Sequence, residues 1–292
     1  MEPSLSKRTM VAQAPGSNFQ STSYAINFWW DEMEDALTYH LQVVTPGFGS
    51  VAGLVLDTVV KINRFTYTLK PGNYEWRVLA QNGSSQTPYS APKNFTVLTT
   101  SIGQQTVQLN SPANNFLTNQ ANTSLQWESL YAATKYNLQI DTGNFSNENA
   151  LVYNQTIPGQ QINFTFIKDH AYQWRVRAVN DTAKSLWSDI RIITYDHTPP
   201  AQVQATLPAN TAQVTLPVTL QWNNIAAARY KLYVFKSDSI TNYSASFPVY
   251  LNTNSYNFTT GTIGDRINWK VSAIDAAGNE GQASTIRSFV LR

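Results

Sequence analysis

The sequence predicts an all-β chain folded as three tandem β-sandwiches in an elongated array, and three observations predict it. One set of motifs recurs three times, apolar and polar residues alternate within each copy, and turn-forming dipeptides separate the alternating runs.

The repeat comes first, because a missed repeat miscalls the whole fold. Residues 28–43 (FWWDEMEDALTYHLQV), 125–140 (LQWESLYAATKYNLQI) and 220–234 (LQWNNIAAARYKLYV) align without forcing, the third being one residue shorter. A second shared block follows in each copy: YEWRVLAQN from Tyr74, YQWRVRAVN from Tyr172 and INWKVSAID from Ile267. A proline precedes each copy, at Pro15, Pro112 and Pro208. Proline to first tryptophan (Trp30, Trp127, Trp222) spans 15, 15 and 14 residues, and first to second tryptophan (Trp76, Trp174, Trp269) spans 46, 47 and 47.

Within a copy the period is two, the mark of half-buried antiparallel strands. Tyr172, Trp174, Val176 and Ala178 face one way, while Gln173, Arg175 and Arg177 face the other. Pro71-Gly72, Asn82-Gly83, Pro158-Gly159 and Gly278-Asn279 supply turns between runs. Only 13% of residues are charged and 12% are aromatic, a mix that suits strands and excludes a disordered chain. Short strands at this spacing indicate sandwiches.

These residues carry a family resemblance. A Trp on the second strand, Y-x-L-x-V on the third and Y-x-W-R-V-x-A-x-N on the sixth resemble fibronectin type III modules. Leu69-Lys70-Pro71-Gly72-Asn73-Tyr74 resembles that family's tyrosine corner, in which the tyrosine hydroxyl ties back to upstream backbone. The third copy departs: Ile267 stands in place of the corner tyrosine, and Ala273 to Asn279 resembles a bacterial immunoglobulin-like module. The Trp-Arg-Val variant in an Asn- and Thr-rich chain is similar to surface proteins of Bacteroidetes-type bacteria. The expected modules are 1–100, with 1–8 a polar tail, then 101–197 and 198–292. The connectors Thr99–Gly103 and Thr198-Pro199-Pro200 separate them.

Composition narrows function. The net charge is +2 and the longest basic run is Lys7-Arg8, so nucleic acid is not an expected partner. The absence of cysteine excludes disulfides, Cys-ligated zinc and thiol catalysis. No run approaches the ~18 apolar residues of a membrane span, and Met1 to Pro15 has no apolar signal core. The expected location is extracellular or at an outer-membrane surface with the export signal trimmed; a lipid anchor would sit on a residue outside this sequence.

Catalytic and metal residues are not expected, and neither is a cofactor. His40, His170 and His197 fall in different copies or at a boundary, and no nucleophile–base set accompanies them. Asp31, Glu32, Glu34 and Asp35 read as a solvated acidic turn, because their spacing fits no calcium loop. Sequons such as Asn94, Asn154 and Asn257 read as chance in so Asn-rich a chain.

Aromatics on the outward face remain. Trp30 belongs to the core with Phe28, so Trp29 points outward where the other copies carry Gln126 and Gln221. In the third copy Tyr233 and Phe235 are expected outward, with Lys270 and Ile274 on the neighbouring strand completing a patch. Trp187 is expected beside Arg175 and Arg177, resembling the stacked Trp–Arg ladders of cytokine-receptor modules. Each has a structural alternative, packing against strand neighbours or an adjoining module. The expected function is a non-enzymatic extracellular interaction or scaffold protein, with protein or glycan partners at the cell surface. The alternative is a glycan-binding surface lipoprotein of the SusE/SusF type using Trp29 and the Tyr233/Phe235 face.

Overall fold

The computed structural model describes residues 3–227 and 229–292. The first sandwich comprises β1 (Ala12–Ala14), β2 (Phe19–Ser21), β3 (Ala25–Trp30), β4 (Thr38–Gly47), β5 (Ser50–Val60), β6 (Arg64–Thr68), β7 (Gly72–Gln81) and β8 (Lys93–Val97). They form a three-stranded sheet, β1-β3-β6, and a five-stranded sheet, β2-β8-β7-β4-β5. The second sandwich repeats this with β9 (Leu109–Ser111), β10 (Phe116–Thr118), β11 (Asn122–Trp127), β12 (Lys135–Asp141), β13 (Tyr153–Ile157), β14 (Gln161–Thr165), β15 (His170–Val179) and β16 (Arg191–Tyr195). The third uses β17 (Ala205–Leu207), β18 (Ala212–Val214), β19 (Val218–Trp222), β20 (Arg229–Phe235), β21 (Val249–Leu251), β22 (Ser255–Phe258), β23 (Arg266–Ile274) and β24 (Arg287–Leu291). Strand order is the same in all three.

The alternating pattern explains the cores. Phe28 and Trp30 on β3 meet Trp76 on β7 with ring centroids 5.3 and 6.5 Å apart. Trp222 and Trp269 repeat the pairing at 6.4 Å. Burying such an indole removes roughly 200 Å² from water, about 5 kcal/mol of transfer free energy. Tyr39, Tyr136 and Tyr230 each accept a backbone N–H from the preceding turn, at 2.9, 2.9 and 3.1 Å. The expected tyrosine corner is present in two copies: Tyr74 and Tyr172 donate to the carbonyls of Lys70 and Lys168 at 2.7 and 2.9 Å. In the third copy Ile267 is fully buried, and Asp265 holds the turn by accepting the Thr262 N–H at 2.9 Å and its hydroxyl at 3.0 Å.

By packing, the chain divides into two compact units. One holds residues up to Ala113 with Ser124–Asn163 and Gln173–Arg191, and the other holds Asn114–Thr123, Phe164–Tyr172 and Ile192–Arg292. In the first unit two expectations need correction. The N-terminal segment is not a polar tail over its described part: Leu5 is 0% exposed, its N–H donates to Ser85 Oγ at 2.9 Å, and Arg8 pairs with Asp35 at 2.8 Å. Leu5 is a single apolar residue among polar ones, so periodicity gives no sign of its burial. Nor is Thr99–Gly103 a bare linker, because Ile102–Gln104 form a 3-10 turn with Ile102 buried.

Candidate contact faces

Trp29 stands on β3 between buried Phe28 and Trp30, so strand alternation turns it to the outer face. Its indole is 46% exposed. Directly across on β6 is Arg64, and two pairs along Thr66 Oγ1 donates to Asn27 Oδ1 at 2.5 Å. Together with the exposed Ile62, these residues line an open hollow of about 720 Å³. An indole face next to a guanidinium and a paired amide–hydroxyl offers both stacking and hydrogen bonding.

The second expected group is a true ladder. Arg175 lies 4.3 Å from the Trp187 ring centroid and 4.0 Å from that of Phe145, and Arg177 lies 4.2 Å from the Trp187 centroid. Gln139 Oε1 accepts from Arg175 Nε and Nη2 at 2.9 and 2.7 Å. Stacked against both arginines, Trp187 is half-buried. The first sandwich builds a ladder that the sequence reading missed. Arg77 stacks between Phe48 and Tyr89 at 4.2 and 4.1 Å, and donates twice to Gln42. The signal was available, since Gln42 and Gln139, like Arg77 and Arg175, hold equivalent repeat positions. His40 also joins this face, against Asp57 and 3.1 Å from the Tyr89 hydroxyl.

In the third sandwich Tyr233 and Phe235 stack at 6.1 Å, and Lys270 Nζ sits 5.1 and 5.8 Å from their centroids. The expected patch is therefore assembled, with two corrections. Phe235 is only 8% exposed, because the chain after β20 folds back on it through a bridge to Asn242. Ile274 is buried too, bridged to Glu280 and opposite Arg229 rather than Tyr233. Glu280 accepts from Ser272, Tyr233 and Lys231 at 2.6, 3.0 and 3.1 Å. Burial works to raise the Glu280 carboxyl, yet these hydrogen bonds outweigh it and hold the group below its ordinary value. The Tyr233 hydroxyl is raised, first by burial, and so keeps its proton for this bond. The Ser272 hydroxyl is fully buried and committed to Glu280, which makes the cluster a structural network.

The acidic turn is likewise tied down: Asp31 accepts from Gln13 at 2.9 Å and Asp35 from Arg8.

This topology and these faces define a class: three tandem immunoglobulin-like sandwiches of the fibronectin type III kind. No protein-family model and no curated protein matches the chain. Among solved structures it is similar to the FN1–FN3 domains of chicken CNTN1, at 14% identity with 97% of each chain covered and a TM-score of 0.42. It is also similar to fibronectin(III)-like modules of Clostridium thermocellum CbhA, at 15% identity over 63% of this chain and 92% of that chain, with a TM-score of 0.37.

Proposed function

We propose that the chain is a non-enzymatic interaction protein acting outside the cell, its sandwiches serving as spacers and contact faces. The observation that carries this is Trp29, a large exposed indole held on a rigid strand where the sister copies carry glutamine. Exposed tryptophans of this kind concentrate binding energy, and truncating one at an interface centre typically costs 2 kcal/mol or more.

A second reading, glycan binding, draws on the same hollow, where the indole face adjoins Arg64, Asn27 and Thr66. One experiment addresses both. The purified chain and its Trp29→Ser variant are measured against a panel of glycans and polysaccharides, and against envelope proteins by cross-linking. The variant should keep its stability within about 0.5 kcal/mol, as exposed substitutions do. Saturable polysaccharide binding that falls at least tenfold in the variant supports the glycan reading. A cross-linked protein partner lost in the variant supports the protein reading. Binding that is the same in both proteins removes Trp29 from either, and a hydrolytic activity abolished by substituting one carboxylate would overturn the non-enzymatic assignment.

A further inference from the structure

Trp29 and Arg64 differ from the sister copies as a pair. They stand directly opposite each other on β3 and β6, both exposed on the outer face. The third sandwich pairs Gln221 with Ser255 at these positions. In the second, the Trp127 N–H donates to the Gln160 carbonyl as the Trp30 N–H does to that of Asn63, so Gln126 and Gln161 are the equivalent residues. The same scaffold thus carries neutral polar pairs twice and an indole–guanidinium pair once. The next outward pair shows no such change, being Asn27 with Thr66 in the first sandwich and Thr219 with Asn257 in the third.

Arg64 is also the exception among the strand arginines. Arg77, Arg175, Arg177 and Arg229 stack on aromatic rings. Arg191 and Arg287 donate to backbone carbonyls, and Arg266 reaches Ser288 Oγ at 3.4 Å. The Arg64 guanidinium has no hydrogen bond, ion pair or ring contact among the described residues, and neither has the ammonium of Lys61 in the connection before it. A free guanidinium offers a planar fork of N–H donors that matches the two oxygens of a carboxylate. One cross-strand step away, about 5 Å, stands the exposed indole. The β1 residue paired with Trp29 is Ala14, too small to cover that ring.

We propose that the Trp29 hollow binds an acidic glycan, one whose sugar ring carries a carboxylate. The C–H face of the ring lies on the indole and the carboxylate takes the Arg64 fork. A single uronate residue holds both groups, so it reaches two side chains that stand one strand step apart. The free cations at Lys61 and Arg64 set the charge of the occupant. The rim favours a sugar over an apolar peptide anchor, which binds where a pocket can dry it completely. Here the hollow is open, Asn27 and Thr66 line it with polar atoms, and Asn27 Nδ2 is left to donate to a sugar hydroxyl. The proposal rests on the reading of Trp29 as a contact residue and adds the charge of the ligand, which that reading leaves open.

The test uses oligomers of polygalacturonate, alginate and hyaluronate, each beside its methyl ester, in which the sugar chain is unchanged and the charge is gone. Calorimetry gives dissociation constants for the full chain, Trp29→Ser and Arg64→Gln, with poly-glutamate as an acidic chain that lacks sugar. At least one acid form should bind the parent, and its ester at least tenfold less tightly. Arg64→Gln should bring the acid form down to the affinity of its ester, and Trp29→Ser should weaken the acid form at least tenfold. Added salt should weaken the acid form and spare the ester. The acid–ester comparison needs no variant, so it decides if circular dichroism finds either substitution unfolded. Equal affinity for acid and ester would overturn the proposal, and if that binding were lost in Trp29→Ser the glycan reading would stand without it. Silence of every acid form at millimolar concentration would also overturn it, leaving the protein-partner reading intact. So would acid binding that survives Arg64→Gln. Poly-glutamate binding as tight as the sugar's, and lost in Arg64→Gln, would make an acidic protein segment the occupant instead.

Discussion

Asp169 ties the stretch after β16 to the sandwich it leaves. Its carboxylate accepts the His197 N–H at 3.0 Å and is in contact with the His197 ring and the Thr198 hydroxyl, while His197 stacks on Tyr195 at 5.4 Å. The Thr198 hydroxyl foremost, then the two His197 bonds, hold the carboxyl at about 2, against its ordinary 3.8. A carboxyl whose folded value lies below its unfolded one stabilises fully above the unfolded value and loses that contribution as pH falls through the folded one. The ties should therefore persist down to about pH 4 and break between there and about 2. NMR titration of the His197 and Thr198 amides reads this directly, and Asp169→Asn should remove the low-pH step. A midpoint near 3.8 would mean that the bonds do not form in solution. Residue-level detail of this kind was the least legible in the sequence. In the sequence His197 shows only its place at a boundary between copies, because its partner lies 28 positions away on another loop. The same holds for Arg191 and Arg287, which donate to the carbonyls of Pro112 and Pro208 at 2.6 and 2.9 Å. In the first copy Lys93 stands at that strand position and Trp76 Nε1 donates to the Pro15 carbonyl instead, at 2.9 Å.

Strands were legible because alternation is a local signal; connections were not, because they differ in length between copies. The inward residues Tyr136, Leu138, Trp174 and Val176 fall where period two places them, and all are buried. The 48–49, 142–152 and 236–248 connections do not align, and from them come Phe48 and Phe145, which complete the arginine ladders, and Phe247, which covers Tyr256. Phe247 gives the element-scale prediction. It is 6% exposed and belongs to the core of the third sandwich although it lies in a loop. Phe247→Ala should cost about 3–5 kcal/mol, as buried phenylalanine truncations do. Urea unfolding followed by tryptophan fluorescence measures the loss, and limited proteolysis should find the 236–248 connection newly cleavable. A variant as stable as the parent would show that the loop is not part of the core.

At the scale of the whole chain, the repeat was legible because tryptophan spacing survives where sequence identity between copies does not. The joining of the first two copies was hidden, since a polar side chain with no periodic signature takes part in it. Gln105 is 2% exposed. Its Oε1 accepts the Tyr24 N–H at 2.8 Å, and its Nε2 donates to the Thr22 carbonyl and Thr100 Oγ1, each at 2.7 Å. Tyr24 in turn donates its hydroxyl to the Thr100 carbonyl at 2.8 Å and meets Tyr131 edge-on at 6.0 Å. Residues on both sides of the 3-10 turn at Ile102–Gln104 are thereby fastened within one compact unit. Gln105→Leu preserves the bulk but leaves the buried Tyr24 N–H unpaired, a cost of about 1–3 kcal/mol, while the Thr22 carbonyl keeps the Thr100 hydroxyl at 3.1 Å. If that bond protects the Tyr24 amide, its exchange should quicken by roughly ten- to a hundredfold at the corresponding free energy. The amides of Trp222 and Trp269, in the other unit, serve as an internal reference and should not change. Quickening at Tyr24 alone would mark Gln105 as the fastening between the first two repeats. Unchanged exchange at Tyr24 would mean that the Tyr24–Tyr131 contact suffices, and that the glutamine fills space without holding the join.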